Sequence, residues 1–321
     1  MRHQLKTGVR TSLLWFPAWL LSLAATSTAQ TFTEYVIPTA GSLPFSITAG
    51  SDGALWFTEW VGNKIGRITT DGSITEYRLP NPNSQPIWIK SGPDGALWFT
   101  EEAGNRIGRI TTSGAISEYP LPTPNSEPWN IGVGQGNVLW FTEKASLEIG
   151  SITTAGAITE YPVSLAPWDL TLGPDGALWI TERSYNKLER MTTSGDVTNQ
   201  YTCPTADCGP DVIITGPNLE LWFTEQFGDK IAQLTTAGVF TEYPVPTPAS
   251  QPGCITVGPD GAFWFTEHTG GNIGRMALSG SMTEYPVPTP NSDPMVIEPG
   301  PDGALWFTEF YGNKIGRITT P

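Results

Sequence analysis

A tetrapeptide, Trp-Phe-Thr-Glu or a close variant of it, recurs seven times along this chain of 321 residues. A repeat of about 40 to 45 residues without a helical pattern is typical of the four-stranded blades of a β-propeller. The sequence therefore predicts an all-β, seven-bladed β-propeller. The motif tryptophans, spaced by 42, 42, 39, 43, 42 and 42 residues, are Trp56, Trp98, Trp140, Trp179, Trp222, Trp264 and Trp306.

Each copy contains four short β-rich runs, which we call strands a to d from the axis outward. In the second copy the runs cover residues 86–89, 96–101, 105–112 and 115–122. The segment Gly92-Pro-Asp-Gly95 has the proline and glycine positions of a type I turn. Strand b is apolar on both faces, so neighbouring blades must cover it. Pro120 and Pro122 indicate that strand d is an edge strand, because proline cannot donate a hydrogen bond to a central ladder.

The two ends of the chain predict how the ring closes. Residues 31–38 match strand d but follow no strand a, b or c, and the chain stops after a strand c at residues 314–320. We therefore expect the N-terminal strand to complete the last blade and remove a free sheet edge. Residues 30–321 would then form a single propeller domain.

The first 29 residues have the layout of a secretory signal peptide. A basic start with Arg2, Lys6 and Arg10 precedes an apolar run at 13–23 and small residues at 27–29. The sequence thus predicts a secreted or periplasmic monomer. Without those three basic residues the chain has 14 basic and 31 acidic residues. Such an acidic balance argues against nucleic acid or an anionic membrane as partner.

Three cysteines remain after the expected processing. In an oxidising compartment Cys203 and Cys208 could close a local disulfide and leave Cys254 unpaired. Three pairings are possible, and the spacing alone does not choose among them.

A ligand site must break the sevenfold pattern, so the variable positions near the axis are informative. The residues that follow the strand-a prolines, and the next residues along, put aromatic side chains on one side of a mouth and small or acidic ones on the other. A concave apolar surface with few polar groups is a default binding site, whereas the same side chains could also plug the channel. The predicted ligand-binding residues are Phe45, Trp88, Trp129, Trp168, Asp211 and Met295.

Ionisable residues near this mouth fall into two groups. A glutamate ends strand b in every blade, and its repetition favours a structural role over a cation site. Asp169, Asp211 and Asp293 break the pattern and are better candidates for a metal ligand or general base. His268, the only histidine after processing, lies at the same end and is an acid–base candidate, although a lone loop histidine is more often a surface residue.

The blade consensus resembles that of the virginiamycin B (streptogramin B) lyases over essentially all of the mature chain. The matching segments are Gly-Pro-Asp-Gly-Ala-Leu-Trp-Phe-Thr-Glu, Gly-Asn-Lys-Ile-Gly-Arg-Ile-Thr-Thr and Ile-Thr-Glu-Tyr-Pro-Val-Pro-Thr-Pro. The resemblance implies a Mg²⁺-dependent elimination that opens a cyclic depsipeptide at its ester bond. It also implies histidines directly after the strand-a prolines of the last two blades, where this chain has Gly253 and Met295.

The resemblance further implies acidic residues at Asp293 and, more loosely, at Glu309. The first hypothesis is therefore a lyase of altered chemistry, in which His268, Asp293 and Glu309 are catalytic and the two acids bind Mg²⁺. The second is a non-catalytic propeller that binds a peptide or carbohydrate at the aromatic mouth. The third is a lactonase-type hydrolase, which would need a tight Ca²⁺ site.

Overall fold

The computed structural model describes Met1 and residues 30–321, so the predicted signal peptide lies outside the described residues apart from Met1. The described chain forms seven four-stranded antiparallel sheets, as predicted. No helix among the described residues is long and apolar enough to cross a bilayer. One short 3₁₀ turn, Arg183–Tyr185, follows the second strand of the fourth blade.

The first three blades are formed by consecutive strands. They are β2 (Pro44–Ala49), β3 (Leu55–Glu59), β4 (Lys64–Ile68) and β5 (Ile74–Arg78); β6 (Pro86–Ser91), β7 (Leu97–Glu101), β8 (Arg106–Ile110) and β9 (Ile116–Pro120); and β10 (Pro128–Val133), β11 (Val138–Glu143), β12 (Glu148–Thr153) and β13 (Ile158–Pro162).

Blades four to six follow the same order. They are β14 (Leu170–Leu172), β15 (Leu178–Glu182), β16 (Lys187–Met191) and β17 (Val197–Thr202); β18 (Pro210–Thr215), β19 (Leu221–Glu225), β20 (Lys230–Leu234) and β21 (Phe240–Pro244); and β22 (Pro252–Val257), β23 (Phe263–Glu267), β24 (Asn272–Met276) and β25 (Met282–Pro286).

The seventh blade joins the two ends of the chain. It consists of β26 (Pro294–Pro299), β27 (Leu305–Glu309), β28 (Lys314–Ile318) and, as its outer strand, β1 (Phe32–Val36). Strand β1 pairs antiparallel with β28, from Phe32 opposite Ile318 to Val36 opposite Lys314. The predicted closure by the N-terminal strand is confirmed.

The repeated motif residues form the core of each sheet. The motif tryptophan packs on a tyrosine of strand d of the same blade, as Trp56 does on Tyr77 with ring centroids 5.5 Å apart. Its indole N–H donates to Asp52 at 3.1 Å, and the other oxygen of that carboxylate accepts from Arg67 at 2.7 Å. The turn aspartate therefore joins the indole N–H and the strand-c arginine by hydrogen bonds at the edge of the stacked tryptophan and tyrosine rings. This contact explains why the aspartate, tryptophan and arginine recur together in the blades that contain all three.

Removing β1 tests how much the closure contributes. In β1, Tyr35 stacks on Trp306 at 5.5 Å and Glu34 pairs with Lys314 at 2.7 Å. We expect deletion of residues 30–36 to expose the edge of β28 and lower the midpoint of thermal unfolding by at least about 10 °C, since several kcal/mol are lost. Deletion of Thr320 and Pro321 is the control at the other end. Equal midpoints for the two truncated chains, measured by circular dichroism, would contradict a closing role for β1.

Candidate active site

In six of the seven blades the inner strand contains a β-bulge near the mouth. Pro44 pairs with Glu59 and Ile47 with Phe57, so the register slips between them, and the same slip occurs in six blades. A bulge bends the strand and changes the direction of its side chains. Most residues that directly follow the strand-a prolines line the mouth, whereas the next residues Asn130 and Asp169 line a cavity below it.

The six predicted ligand-binding residues meet around one small axial cavity of about 30 Å³, which His268 also lines. Trp129 and Trp168 have ring centroids 4.6 Å apart, and Phe45 packs edge-on against Trp129 at 5.5 Å. The Trp168 indole donates to Asp211. The indole nitrogen of Trp88 is buried without a partner among the described residues. These side chains form a nearly filled aromatic floor with one carboxylate.

A wider cavity of about 510 Å³ shares two residues, His268 and Met295, with this floor. Its lining is polar, and it includes one arginine and one carboxylate. A ligand in this cavity would contact the floor through those two shared side chains. The other lining residues are Arg183, Gln226, Gln251, Thr269, Asn291, Asp293 and Tyr311.

His268 and Asp293 form a direct pair in this cavity. The imidazole Nδ1 lies 3.0 Å from Oδ1 of Asp293, and the side chains are 11% and 23% exposed. When Asp293 is ionised, its carboxylate only accepts hydrogen bonds, and Nδ1 of His268 is then the donor in this pair. The neutral imidazole then has an unprotonated Nε2, which is the arrangement of a general base held by an acid.

The imidazole of His268 occupies the space that a side chain at position 253 would fill. A Cβ atom built on Gly253 would lie 2.1 Å from Nε2 of His268. Any other residue at 253 would therefore have to displace the ring. The structure thus brings a histidine from the end of β23 to the place where the resemblance implies one directly after the strand-a proline.

Glu309 lies apart from this pair. Its side chain is fully buried, and it lines neither mouth cavity. Its carboxylate lies beside Gly312, where an added Cβ would be 2.7 Å from Oε2, and it feels the charges of Glu34 and Lys314 in the outer strands. The structure therefore brings His268 and Asp293 together but not Glu309.

The donor set for a divalent cation is incomplete at the mouth. Within residues 30–321, the groups of three His, Cys, Asp or Glu ligand atoms close enough to share an ion include neither Asp293 nor Glu309. A cation beside Asp293 would find Oδ2 of that residue but no ligand from Glu309. The residues as placed do not form a Mg²⁺ cage, and the metal role of the two acids stays a prediction.

Asp169 belongs to the channel below the floor. It lines a separate cavity of about 320 Å³ together with the ion pair of Lys90 and Glu298. Its Oδ2 accepts the backbone N–H of Ile213 at 2.8 Å. Burial raises the pKa of Asp169 to about 8. Asp211 is thus the acid that faces the aromatic floor, whereas Asp169 does not.

Sequence reasoning missed a third variable ring, formed by the residue directly after the motif glutamate. Arg183 lies 4.5 Å from the ring centroid of Trp168 and donates to Gln226. Lys144 lies 4.0 Å from the ring centroid of Trp129. Comparison of the seven copies at this position, where only His268 was considered, could have revealed the ring. Its members are Trp60, Glu102, Lys144, Arg183, Gln226, His268 and Phe310.

The seven motif glutamates are buried, and burial opposes the ionisation of their carboxyl groups. Burial raises the pKa of each to between about 7 and about 9, and nearby carboxylates of strands c and d add to the shift in most blades. Burial therefore favours the neutral form of these carboxyl groups, most strongly at Glu182, whose pKa it raises to about 9. Their repetition and their orientation away from the axis support the structural role that the sequence favoured.

The fold and the mouth define a seven-bladed propeller with an aromatic ligand floor and a histidine–aspartate pair. A model of the virginiamycin B lyase family matches residues 7–166 and 163–321. The chain belongs to the virginiamycin B lyase family.

Solved structures agree with this assignment. A streptogramin B lyase is 36% identical, with 90% of this chain and 97% of that chain covered and a TM-score of 0.86. Virginiamycin B lyase from Staphylococcus aureus is 39% identical, with 91% and 100% covered and a TM-score of 0.86. The same values hold for a catalytically inactive histidine-to-alanine variant of that enzyme with quinupristin.

The buried glutamates predict a pH dependence of stability. Burial raises the pKa of Glu59 to about 8, so its proton is held in the folded state and released on unfolding once the pH exceeds about 4.5. Its contribution to stability is therefore lost as the pH rises from about 4.5 to about 8. We expect Glu59→Gln to match the parent at pH 5 and to be more stable at pH 8.5 by up to about 5 kcal/mol, since the pKa rises from 4.5 to about 8 and one pKa unit is about 1.4 kcal/mol.

Glu76→Gln provides the control of opposite sign. Burial opposes ionisation of Glu76, but hydrogen bonds from Lys64 and Thr39 prevail and lower its pKa. Its contribution is present above pH 4.5 and lost on acidification, so we expect this variant to be less stable than the parent at pH 8.5. Urea unfolding at pH 5 and 8.5 measures both. If Glu59→Gln also loses stability at pH 8.5, Glu59 is ionised in the folded protein.

Proposed function

We propose that this protein binds a cyclic depsipeptide at its mouth and opens the ring by elimination at the ester bond, with His268 as the general base. The observation that carries the proposal is the placement of the His268 imidazole in the space above Gly253, hydrogen-bonded to Asp293. The predicted signal peptide would place this activity outside the cytoplasm.

The relatives support a histidine-dependent reaction. The Staphylococcus aureus enzyme is described as catalytically inactive when a histidine is changed to alanine. In this chain the two positions at which the resemblance implies histidine are Gly253 and Met295, neither of which transfers protons. His268 supplies an imidazole to the same mouth from the end of a neighbouring strand.

The proton transfer follows from the geometry of the pair. Nε2 of His268 removes a proton from the carbon next to the one that bears the ester oxygen, and that electron pair forms a carbon–carbon double bond as the carbon–oxygen bond breaks. The carboxylate leaves, so the linear product has the same atoms as the ring. Asp293 holds the orientation of the His268 imidazole and stabilises the imidazolium that forms.

The remaining mouth residues would bind and orient the ring. The aromatic floor of Phe45, Trp129 and Trp168 offers apolar area for the side chains of a depsipeptide. Arg183, which lines the wider cavity, offers positive charge for the departing carboxylate.

Incubation with quinupristin tests the reaction class. Elimination gives a linear product of unchanged mass, whereas hydrolysis by a lactonase-type enzyme adds one water and a binding protein leaves the ring intact. Liquid chromatography with mass spectrometry separates these outcomes, and assays with EDTA, with added Mg²⁺ and with added Ca²⁺ test the metal. Bound but unaltered quinupristin would favour the non-catalytic propeller.

Removing the base should abolish most of the activity. We expect His268→Ala to lower kcat by at least about 100-fold, since a general base contributes about 10²- to 10⁴-fold. Asp293→Asn should lower kcat and shift the pH profile, because an amide can hold the wrong tautomer. Gln85→Ala, at the position equivalent to Asp293 in the second blade, is the control. Full activity in His268→Ala would remove His268 from the mechanism even if the product showed elimination.

Moving the imidazole back to position 253 gives a sharper test. Gly253→His should be inactive because its side chain collides with His268, which lies 2.1 Å from the Cβ position. The double variant Gly253→His with His268→Gly removes the collision and should recover more activity than either single change. Activity in Gly253→His equal to that of the parent would show that the two side chains do not compete for one place.

A further inference from the structure

One blade connection differs from its equivalents at two positions at once. In five of the six connections of this length, a buried aliphatic residue ends strand d and a buried serine stands five residues later. In the connection from β17 to β18 both positions are cysteine, Cys203 and Cys208. The equivalent residues in the other connections are Ile37 and Ser42, Leu79 and Ser84, Leu121 and Ser126, Val245 and Ser250, and Val287 and Ser292.

The two cysteines face each other inside the protein. Both are buried as free thiols, so the predicted disulfide is not formed in the structure, yet their sulfur atoms lie within 4.8 Å of one another. Backbone hydrogen bonds hold both ends of the segment: the N–H of Cys203 donates to Asn186 at 3.0 Å, and the carbonyl of Cys208 accepts from Phe227 at 3.0 Å. A disulfide would bring the two sulfur atoms to a bonding distance of about 2.05 Å.

The cysteines make only a weaker form of the contacts that their equivalents make. The hydroxyl of Ser126 donates to Oδ1 of Asn105 at 2.8 Å, whereas Sγ of Cys208 lies 3.8 Å from Oδ1 of Asn186, the equivalent asparagine. A thiol is also a weaker donor than a hydroxyl. Replacing the aliphatic residue by cysteine also removes apolar volume. A bond between the two sulfurs accounts for both changes together.

We propose that Cys203 and Cys208 form a disulfide in the mature protein and lock the connection that leads into β18. The two thiols lose two protons and two electrons as the sulfur–sulfur bond forms, and a disulfide oxidant accepts them and becomes two thiols. Because β18 begins at Pro210 and carries Asp211, the bond fixes the backbone next to the acceptor of the Trp168 indole.

The burial of the pair sets when the bond forms. A hydrogen bond with Cys208, together with burial, raises the pKa of the Cys203 thiol well above its ordinary value. Disulfide exchange requires a thiolate, so the folded protein exchanges slowly and the bond forms while the chain is folding. The disulfide should accordingly resist reductant until the protein is unfolded.

Thiol labelling under denaturing conditions tests the bond in the full-length processed protein. After expression with export to an oxidising compartment, we expect iodoacetamide to label Cys254 alone, and all three cysteines only after denaturation with reductant. The peptide that carries Cys203 and Cys208 should weigh two hydrogens less before reduction. Three labelled cysteines without reduction would overturn the proposal, as would stoichiometric zinc in the same sample, which would assign Cys203, Cys208 and Glu225 to a metal site.

A variant that replaces the two cysteines by the residues found at the equivalent positions of other connections should fold, so it can serve as the control without a disulfide. Cys203→Val with Cys208→Ser restores the pair found in the sixth and seventh blades, so the chain should fold. The parent protein is unfolded, reduced and refolded, and its thermal midpoint is compared with that of the oxidised parent. The reduced sample should melt about 4 °C lower, as expected for a short disulfide loop in a domain of this size. The double variant and its reduced form should melt together, and Cys254→Ser should keep the full shift. A parent midpoint that does not change on reduction would contradict the proposed stabilisation.

Discussion

A threonine hydroxyl connects neighbouring blades at six of the seven blade junctions and lies directly behind the mouth. The motif threonine accepts the backbone N–H released by the bulge of its own inner strand and donates to a carbonyl of the next blade. The hydroxyl of Thr58 accepts a hydrogen bond from the backbone N–H of Ser46 at 3.0 Å. The same hydroxyl donates to the backbone carbonyl of Ile87 at 2.8 Å. Thr308 closes the circle by donating to Phe45 at 2.7 Å. These hydrogen bonds are buried, so breaking one leaves unpaired polar groups in the core.

The same junction separates architecture from function. The motif threonine, which lies opposite the inner strand, repeats in the seven blades because it contacts the neighbouring blade. The residues of the bulge lie near the axis, where they are free to differ. That freedom allows aromatic side chains on one side of the mouth and Gly253 on the other. The open space above Gly253 admits the imidazole of His268, so the position of His268 depends on the absence of a side chain at residue 253. The pair of His268 and Asp293 thus depends on a position where the pattern is broken.

Buried carboxyl groups show the cost of this regular architecture. Burial and nearby acids raise the pKa of the motif glutamates and favour their neutral form. Asp293 lies in the open cavity and pairs with His268 instead. Carboxyl groups therefore have two roles in adjacent segments. The buried glutamates lie below the connections, whereas the aspartate is a hydrogen-bond acceptor at the mouth, and solvent access separates the two.

The sequence by itself determined the number of blades, the order of their strands, the closure by residues 31–38 and the ring of mouth residues. These follow from local chemistry that repeats seven times: apolar strands, proline–glycine turns and a fixed spacing. Only the tertiary structure decided that His268 lies over Gly253, that it pairs with Asp293, and that Glu309 lies away from both. Those relations join side chains 15 to 41 residues apart through the directions that bulges and neighbouring blades impose, and residue spacing along a chain does not specify side-chain direction across a blade junction.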